Sequence, residues 1–171
     1  DYVLKRPYVE LFLSIVCEIF EVVVFTASVQ VYANLILDEI DVEKKIKYRL
    51  YRDHCIKVNN DKYIKNLHCL GRDLKNVIII DNNPLSYTLN IENGLPITTW
   101  ETNQNDNELI KLVPILQYLS DNDVSDVRPI IKRIVKNHII NYDEVNKIIN
   151  ERKHNYYFEK ERESYYNEKI N

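Results

Sequence analysis

Two runs of β-branched residues constrain this chain more than any other feature. Glu21-Val22-Val23-Val24-Phe25-Thr26 is one; Leu74–Ile80, with Val77-Ile78-Ile79-Ile80 at its centre, is the other. Neither shows the apolar–polar alternation of a half-solvated strand. Strands apolar on both faces belong inside a parallel sheet with helices packed above and below. The stretches around them supply those helices. Pro7 opens one at its first turn, where a missing N–H costs nothing, and Val9, Phe12, Leu13, Val16 and Ile19 or Phe20 recur at helical spacing behind it. Further helices are expected from about Gln30 to Ile40 and over Glu108–Leu119. Tyr48–Tyr51 reads as a weak strand and Pro96–Thr99 as a third short one, followed by a polar loop at Glu101–Asp106. Alternating strands and helices predict an α/β fold with a parallel sheet.

The 171 residues, 45% hydrophobic, are one domain's worth of chain and too apolar for wholesale disorder. The longest apolar stretches, Leu11–Phe20 and Val22–Ala27, are interrupted by Ser14, Glu18 and Glu21 and are too short to span a bilayer. Cys17, Cys55 and Cys69 are an odd set, unsuited to a disulfide scaffold and at home in a reducing compartment. A net charge of −3 argues against direct nucleic-acid binding. The sequence opens on Asp1 rather than Met and is expected to be part of a longer protein. Charge changes sign along it: 13 Lys/Arg face 19 Asp/Glu in residues 1–127, and 10 face 7 in 128–171. The pattern beyond 128 is helical, with Ile130, Ile131, Ile134, Val135 and His138 on one face. Asn141 and Glu144 form a loose capping pair before Val145, Ile148 and Ile149, and a charged, Tyr-rich tail follows Glu151. Two regions are therefore expected, 1–127 and a helical, charged C-terminal extension over 128–171.

In an open α/β sheet, ligands bind beyond the carboxyl ends of the strands, so the residues ending the two runs carry the functional argument. The first ends in Thr26, a hydroxyl where a helix is about to begin, which suits either phosphate binding or plain helix capping. The second ends in Asp81-Asn82-Asn83-Pro84. A carboxylate and an amide there suit Mg²⁺, and the same four residues are ordinary turn chemistry. Lys65, in a polar segment, reads as a solvated face, and Arg52 as a surface ion pair with Asp53. His54-Cys55 and His68-Cys69 invite a zinc reading, but adjacent ligands do not match pairs spaced roughly two to four residues apart.

Taken in order, Lys5-Arg6-Pro7-Tyr8-Val9, Phe25-Thr26-Ala27-Ser28 with Tyr32-Ala33, Arg52-Asp53-His54-Cys55, Tyr63-Ile64-Lys65-Asn66-Leu67 leading to Leu70-Gly71-Arg72-Asp73-Leu74, Ile80-Asp81-Asn82-Asn83-Pro84, and Trp100 before an acidic, Asn-rich loop make a set. Over residues 2–127 the chain resembles the small phosphatases, NLI-interacting-factor-like, that act on the C-terminal repeat domain of RNA polymerase II, within the haloacid dehalogenase superfamily. The resemblance implies a Rossmann-like parallel sheet with flanking helices and an Mg²⁺-dependent protein serine/threonine phosphatase working through an aspartyl-phosphate. By resemblance Thr26 binds the transferring phosphoryl group, Lys65 neutralises it, Asp81 and Asn82 hold Mg²⁺, Arg52 contacts substrate phosphate, and Tyr32 lines the substrate side. It also implies a phosphoprotein partner, possibly the polymerase repeats, in the nucleus or cytoplasm. The family's nucleophile lies in an Asp-x-Asp-x-Thr motif on a first strand upstream of Lys5-Arg6-Pro7, and these 171 residues hold no such motif. The expectation is a sheet lacking that strand, with Val22–Phe25 and Val77–Ile80 left with open edges, and a chain inactive alone. The competing expectation is a non-catalytic binding module, either a truncated pseudophosphatase or a relative of the mitochondrial presequence-translocase receptor. One further departure is Asn34-Leu35, where the family carries Asp-Pro.

Overall fold

The computed structural model describes residues 3–59 and 61–136. Its strands are β1 (Val23–Phe25), β2 (Tyr48–Leu50), β3 (Ile56–Asn59), β4 (Lys62–Ile64), β5 (Ile79–Asp81) and β6 (Gly94–Pro96). Its α-helices are α1 (Val9–Ile19), α2 (Gln30–Ile40), α3 (Glu108–Leu119) and α4 (Arg128–Lys136). β1 runs parallel to β2 with Val24 opposite Arg49, and β5 runs parallel to β6 with Ile80 opposite Leu95. β3 and β4 form an antiparallel hairpin with an irregular register between Lys57 and Asn59. Among the described residues, β1 and β5 each pair with a single strand.

Both parallel pairs lean on one apolar layer. Phe12 and Val16 of α1, Leu112, Ile115, Leu116 and Leu119 of α3, Leu95 of β6, and Ile131 of α4 are buried together. Val22, just before β1, packs against that layer, and so do Ile78 and Ile80 around β5. The alternate residues face the other way: Val24 meets Ala33, Leu37 and Tyr51, and Ile79 meets Leu67, Val77 and Tyr87. Successive side chains of a strand point to opposite faces, so helices and turns cover both sides of each pair, as the unalternating runs require.

Several sequence expectations shift. The first run narrows to three residues, all half-buried rather than fully buried, because among the described residues β1 has a strand neighbour on one side only. Leu74–Asn76 is a 3-10 turn rather than strand: Asp73 accepts a hydrogen bond from the Lys75 N–H at 3.1 Å and folds the chain before β5 begins. The third strand lies at Gly94–Pro96, two residues ahead of Pro96–Thr99, since Thr98 and Thr99 are engaged by Arg6 and Asn82 instead of by a ladder. Pro7 precedes the helix rather than opening it; Tyr8 takes a left-handed φ of 67° at the N-cap of α1. The hairpin β3–β4 and the 3-10 segment Pro84–Asn93 were not foreseen. α2 and α3 match their expected spans, and the Asn34-Leu35 departure leaves α2 unbroken. The expectations for His138, Asn141, Glu144, Val145, Ile148, Ile149 and the tail after Glu151 lie outside the described residues.

One polar clamp closes the N-terminal segment onto the loop after β6. Arg6 Nε and Nη2 donate to Asp106 Oδ1 and Oδ2 at 2.7 and 2.9 Å, with side-chain exposures of 13% and 11%. Asp106 also accepts from the Glu108 N–H at the start of α3. The Arg6 hydrogen bonds hold the Asp106 carboxyl below its usual range. A carboxyl lowered by folding adds stability above its unfolded pKa and loses it as pH falls through the folded value. The stability difference between this chain and its Asp106→Asn variant is therefore expected to be full at neutral pH and to shrink on acidification below about pH 4. Urea unfolding at stepped pH measures it, and a difference independent of pH would contradict the ion pair.

Candidate active site

Each predicted site residue but one falls where a parallel strand or the β3–β4 hairpin ends. Thr26 follows β1, Arg52 lies two residues past β2, Lys65 follows β4, and Asp81 closes β5 with Asn82 next. The exception is Tyr32, in the first turn of α2, 67% exposed alongside Val31 and Leu35.

At β5 the geometry is tight. Asp81 is 8% exposed, and its two carboxylate oxygens are both engaged. Oδ1 accepts from the Asn83 N–H at 2.8 Å, and Oδ2 accepts from Lys65 Nζ at 2.5 Å. Lys65 is aimed there by its own backbone, whose N–H donates to the Ser86 carbonyl at 2.7 Å. The lysine read as a solvated face is thus half of a sequestered ion pair, 14% and 7% exposed in its side chains. The turn reading of Asp81-Asn82-Asn83-Pro84 is realised too: Asn83 caps the segment that Pro84 opens, accepting from the Leu85 N–H. Asn82 turns aside and donates from Nδ2 to Thr99 Oγ1 at 2.9 Å.

At β1, Thr26 Oγ1 accepts from the Ser28 N–H at 3.0 Å, a turn contact rather than the helix cap that spacing allowed, since α2 starts at Gln30 with Val29 at its N-cap. Arg52 does not pair with Asp53. Its Nε donates to the Ala27 carbonyl at 2.7 Å, and its guanidinium lies 5.2 Å over the Tyr63 ring, a cation–π contact. Arg52 thereby ties the Thr26 loop to the hairpin that leads to Lys65. Cys55 bridges the same places. Its thiol lies 3.8 Å from the Thr26 carbonyl, and burial pushes its pKa up while the Lys65 charge opposes the rise. The zinc reading has no support among the described residues: no three His, Cys, Asp or Glu side chains converge. The His54 Nδ1 instead accepts from the Tyr51 N–H, and Cys69 is exposed.

Sequence reasoning missed Cys55, Ser86 and Thr99 as neighbours of the site. Ser86 and Thr99 act through contacts with Lys65, 21 residues away in the chain, and Asn82, 17 residues away, which no local spacing reveals.

The family model of the NLI interacting factor-like phosphatases matches residues 1–128. The chain belongs to that family. It is 54% identical over 128 residues to CTD small phosphatase-like protein 2 of Dictyostelium discoideum, a match covering 75% of this chain and 22% of the relative. It is 41% identical over 132 residues to the human carboxy-terminal domain RNA polymerase II polypeptide A small phosphatase 1, covering 77% of this chain and 49% of that protein. The chain therefore spans less than half the length of either relative. In three dimensions it resembles the fission yeast RNA polymerase II CTD phosphatase Fcp1 bound to beryllium fluoride, with a TM-score of 0.63, 17% identity, and coverage of 77% of this chain and 55% of the other. That likeness places this NLI interacting factor-like phosphatase domain in the haloacid-dehalogenase-type α/β fold.

Proposed function

We propose that this domain belongs to a protein serine/threonine phosphatase that works through an aspartyl-phosphate, with Thr26, Lys65, Arg52, Asp81 and Asn82 as its phosphate-side machinery and Tyr32 facing the substrate. The observation that carries the reading is the ion pair of Lys65 with Asp81 at the carboxyl end of β5. It sets a fixed ammonium and a buried carboxylate where an α/β sheet binds its ligand. Phosphoryl transfer asks for positioned charge more than covalent chemistry, and that is what these residues offer. The Thr26 hydroxyl and the amides beginning its loop would hold phosphoryl oxygens. Lys65 would neutralise them as the serine or threonine oxygen departs. Arg52, fixed by Ala27 and Tyr63, would contact the substrate's phosphate.

The nucleophile is the part these residues do not contain. Asp-x-Asp-x-Thr is absent from the 171 residues, and among the described residues β1 and β5 each have one strand neighbour. We place the motif on a strand paired with those open edges. Its first aspartate oxygen would attack phosphorus as the P–O bond to serine or threonine breaks, its second acid would protonate the departing oxygen to give the free alcohol, and water would then cleave the acyl phosphate. For Mg²⁺ the fit is one of type: Asp81 and Asn82 give one carboxylate and one amide oxygen, both hard donors, and the motif strand would add a second carboxylate. When bound, the ion supplies positive charge to the phosphoryl group, and Asp81 and Asn82 are the residues here that would hold it. The phosphatase-like region would cover 1–127, with 128–171 as a helical extension whose first helix lends Ile131 to the core. The substrate would be a phosphoprotein, with the RNA polymerase II C-terminal repeats as the first candidate, met in the nucleus or cytoplasm. Among the described residues no helix is long and apolar enough to cross a membrane.

The test compares the full gene product with the 171-residue chain on p-nitrophenyl phosphate and a phosphoserine peptide in Mg²⁺. The full protein should turn over both and the chain neither, and Asp81→Asn in the full protein should lower kcat by about 10²-fold or more. A folded full-length protein inert on both substrates would replace the enzyme with the non-catalytic binding module.

A further inference from the structure

Arg6 lies far from Asp81 in sequence, yet a short relay joins them. Besides its two bonds to Asp106, Arg6 donates from Nη1 to the Thr98 carbonyl at 2.7 Å and from Nη2 to Thr98 Oγ1 at 3.0 Å. The guanidinium thus spends four contacts on two residues of one loop, and its planar fork makes that geometry rigid. Thr99, the next residue, receives the Asn82 carboxamide. Just before them, the Ile97 N–H donates to the Asp81 carbonyl at 3.3 Å, so the loop grips both residues of the site by different groups. Asn82 itself is exposed and follows the end of β5, where no ladder constrains it. Its side chain can present either an oxygen or an NH₂ group to a ligand, and in this structure the NH₂ end is the one bonded to Thr99.

We propose that Arg6 is a positioning residue: by clamping Thr98 it fixes Thr99, and Thr99 fixes the Asn82 carboxamide with its amide end held and its oxygen end turned the other way. The inference deepens the phosphatase reading, for which Asn82 must offer oxygen. Arg6 touches neither Asp81 nor Asn82, so its effect runs wholly through the 98–99 segment. An arginine serving only to hold the N-terminal segment down would change stability and leave the Asn82 side chain as it is.

The experiment is read on the Asn82 side-chain NH₂ resonances of the full gene product, first without metal. Thr99→Val should shift them and speed their hydrogen exchange about 10-fold, the loss of one modest hydrogen bond. Arg6→Gln should do the same, and the double variant should be no worse than either single one, because both act through one contact. Arg6→Lys, which keeps charge but not the fork, should leave most of the defect. Where Arg6→Gln fails to fold, Thr98→Val leaves the Asp106 pair intact and should still move the resonances. Asn82 signals unchanged in a folded Arg6 or Thr98 variant, or additive effects in the double variant, would overturn the proposal. Mg²⁺ titration is the second arm: Arg6→Gln should weaken binding by a similar factor. A wild-type protein that binds no Mg²⁺ counts against the phosphatase reading, while the metal-free arm still decides the relay.

Discussion

Replacing Gly94 by alanine is expected to cost this domain about 3 kcal/mol or more, at the upper end for an overpacked core. The reason is close approach, not backbone freedom. A Cβ at position 94 would lie against the Tyr87 ring, 2.6 Å from Cδ2 and Cζ and closer still to Cε2. Tyr87 is 2% exposed and packed among Leu67, Val77 and Ile79, so the ring has no empty space to move into. Gly94 also pairs with Ile79 in the β5–β6 ladder, which stops β6 from backing away. At roughly 2–4 °C per kcal/mol for a chain of this size, the melting temperature should fall by about 6–12 °C. Tyr87→Leu in the same background should recover part of the loss by removing the ring. A Gly94→Ala protein as stable as the parent would show that Tyr87 does not sit over β6 as described.

The second large effect is expected at Lys65. Removing one partner of a sequestered ion pair leaves a charge without compensation, a loss of about 3–5 kcal/mol for buried pairs. Lys65→Met should approach the lower end, since 14% of the lysine side chain is still open to water. The double variant Lys65→Met/Asp81→Asn should be more stable than Lys65→Met alone, because the stranded carboxylate is gone. Urea unfolding of the metal-free proteins gives both values. Equal stability of the single and double variants would mean that a carboxylate stranded at position 81 costs nothing. In the full gene product, Lys65→Met should also depress kcat, and the double variant should recover stability without recovering turnover. A Lys65→Met protein that stays folded but loses turnover marks a residue that works on phosphate rather than one that only packs.

Smaller effects teach the same lesson about scale. The Arg6–Asp106 clamp weakens as pH falls because Arg6 holds the Asp106 carboxyl below its usual range, whereas the Gly94 contact with Tyr87 is steric and involves no proton. Cys55 lies beside the site with its thiol pushed up by burial while the Lys65 charge opposes the rise.

The layered α/β arrangement was legible in the sequence because Val22–Phe25 and Val77–Ile80 are apolar at every position, and only strands covered on both faces need that. Helices α2 and α3 were legible for a related reason: 3.6-residue periodicity is local, and no distant contact has to be known to see it. Thr26, Asp81 and Asn82 could be found because a polar residue stopping such a run lies at the strand's carboxyl end. Their meaning stayed open until the ordered motifs were taken together. What the sequence could not disclose are contacts between segments far apart in the chain. Lys65 looks like any surface lysine until Ser86 turns its backbone and Asp81 takes its charge. Arg52 has an acidic neighbour in Asp53 and ignores it, because the Ala27 carbonyl and the Tyr63 ring lie closer to where its side chain points. Gly94 carries no signal at all, since the ring that forbids a side chain there is seven residues back and brought across by the folded Pro84–Asn93 segment. Local patterning determined the elements and the ends of the strands. Which charges meet at those ends was decided by the tertiary structure, because an ion pair or a close contact depends on distances that only the packed chain defines.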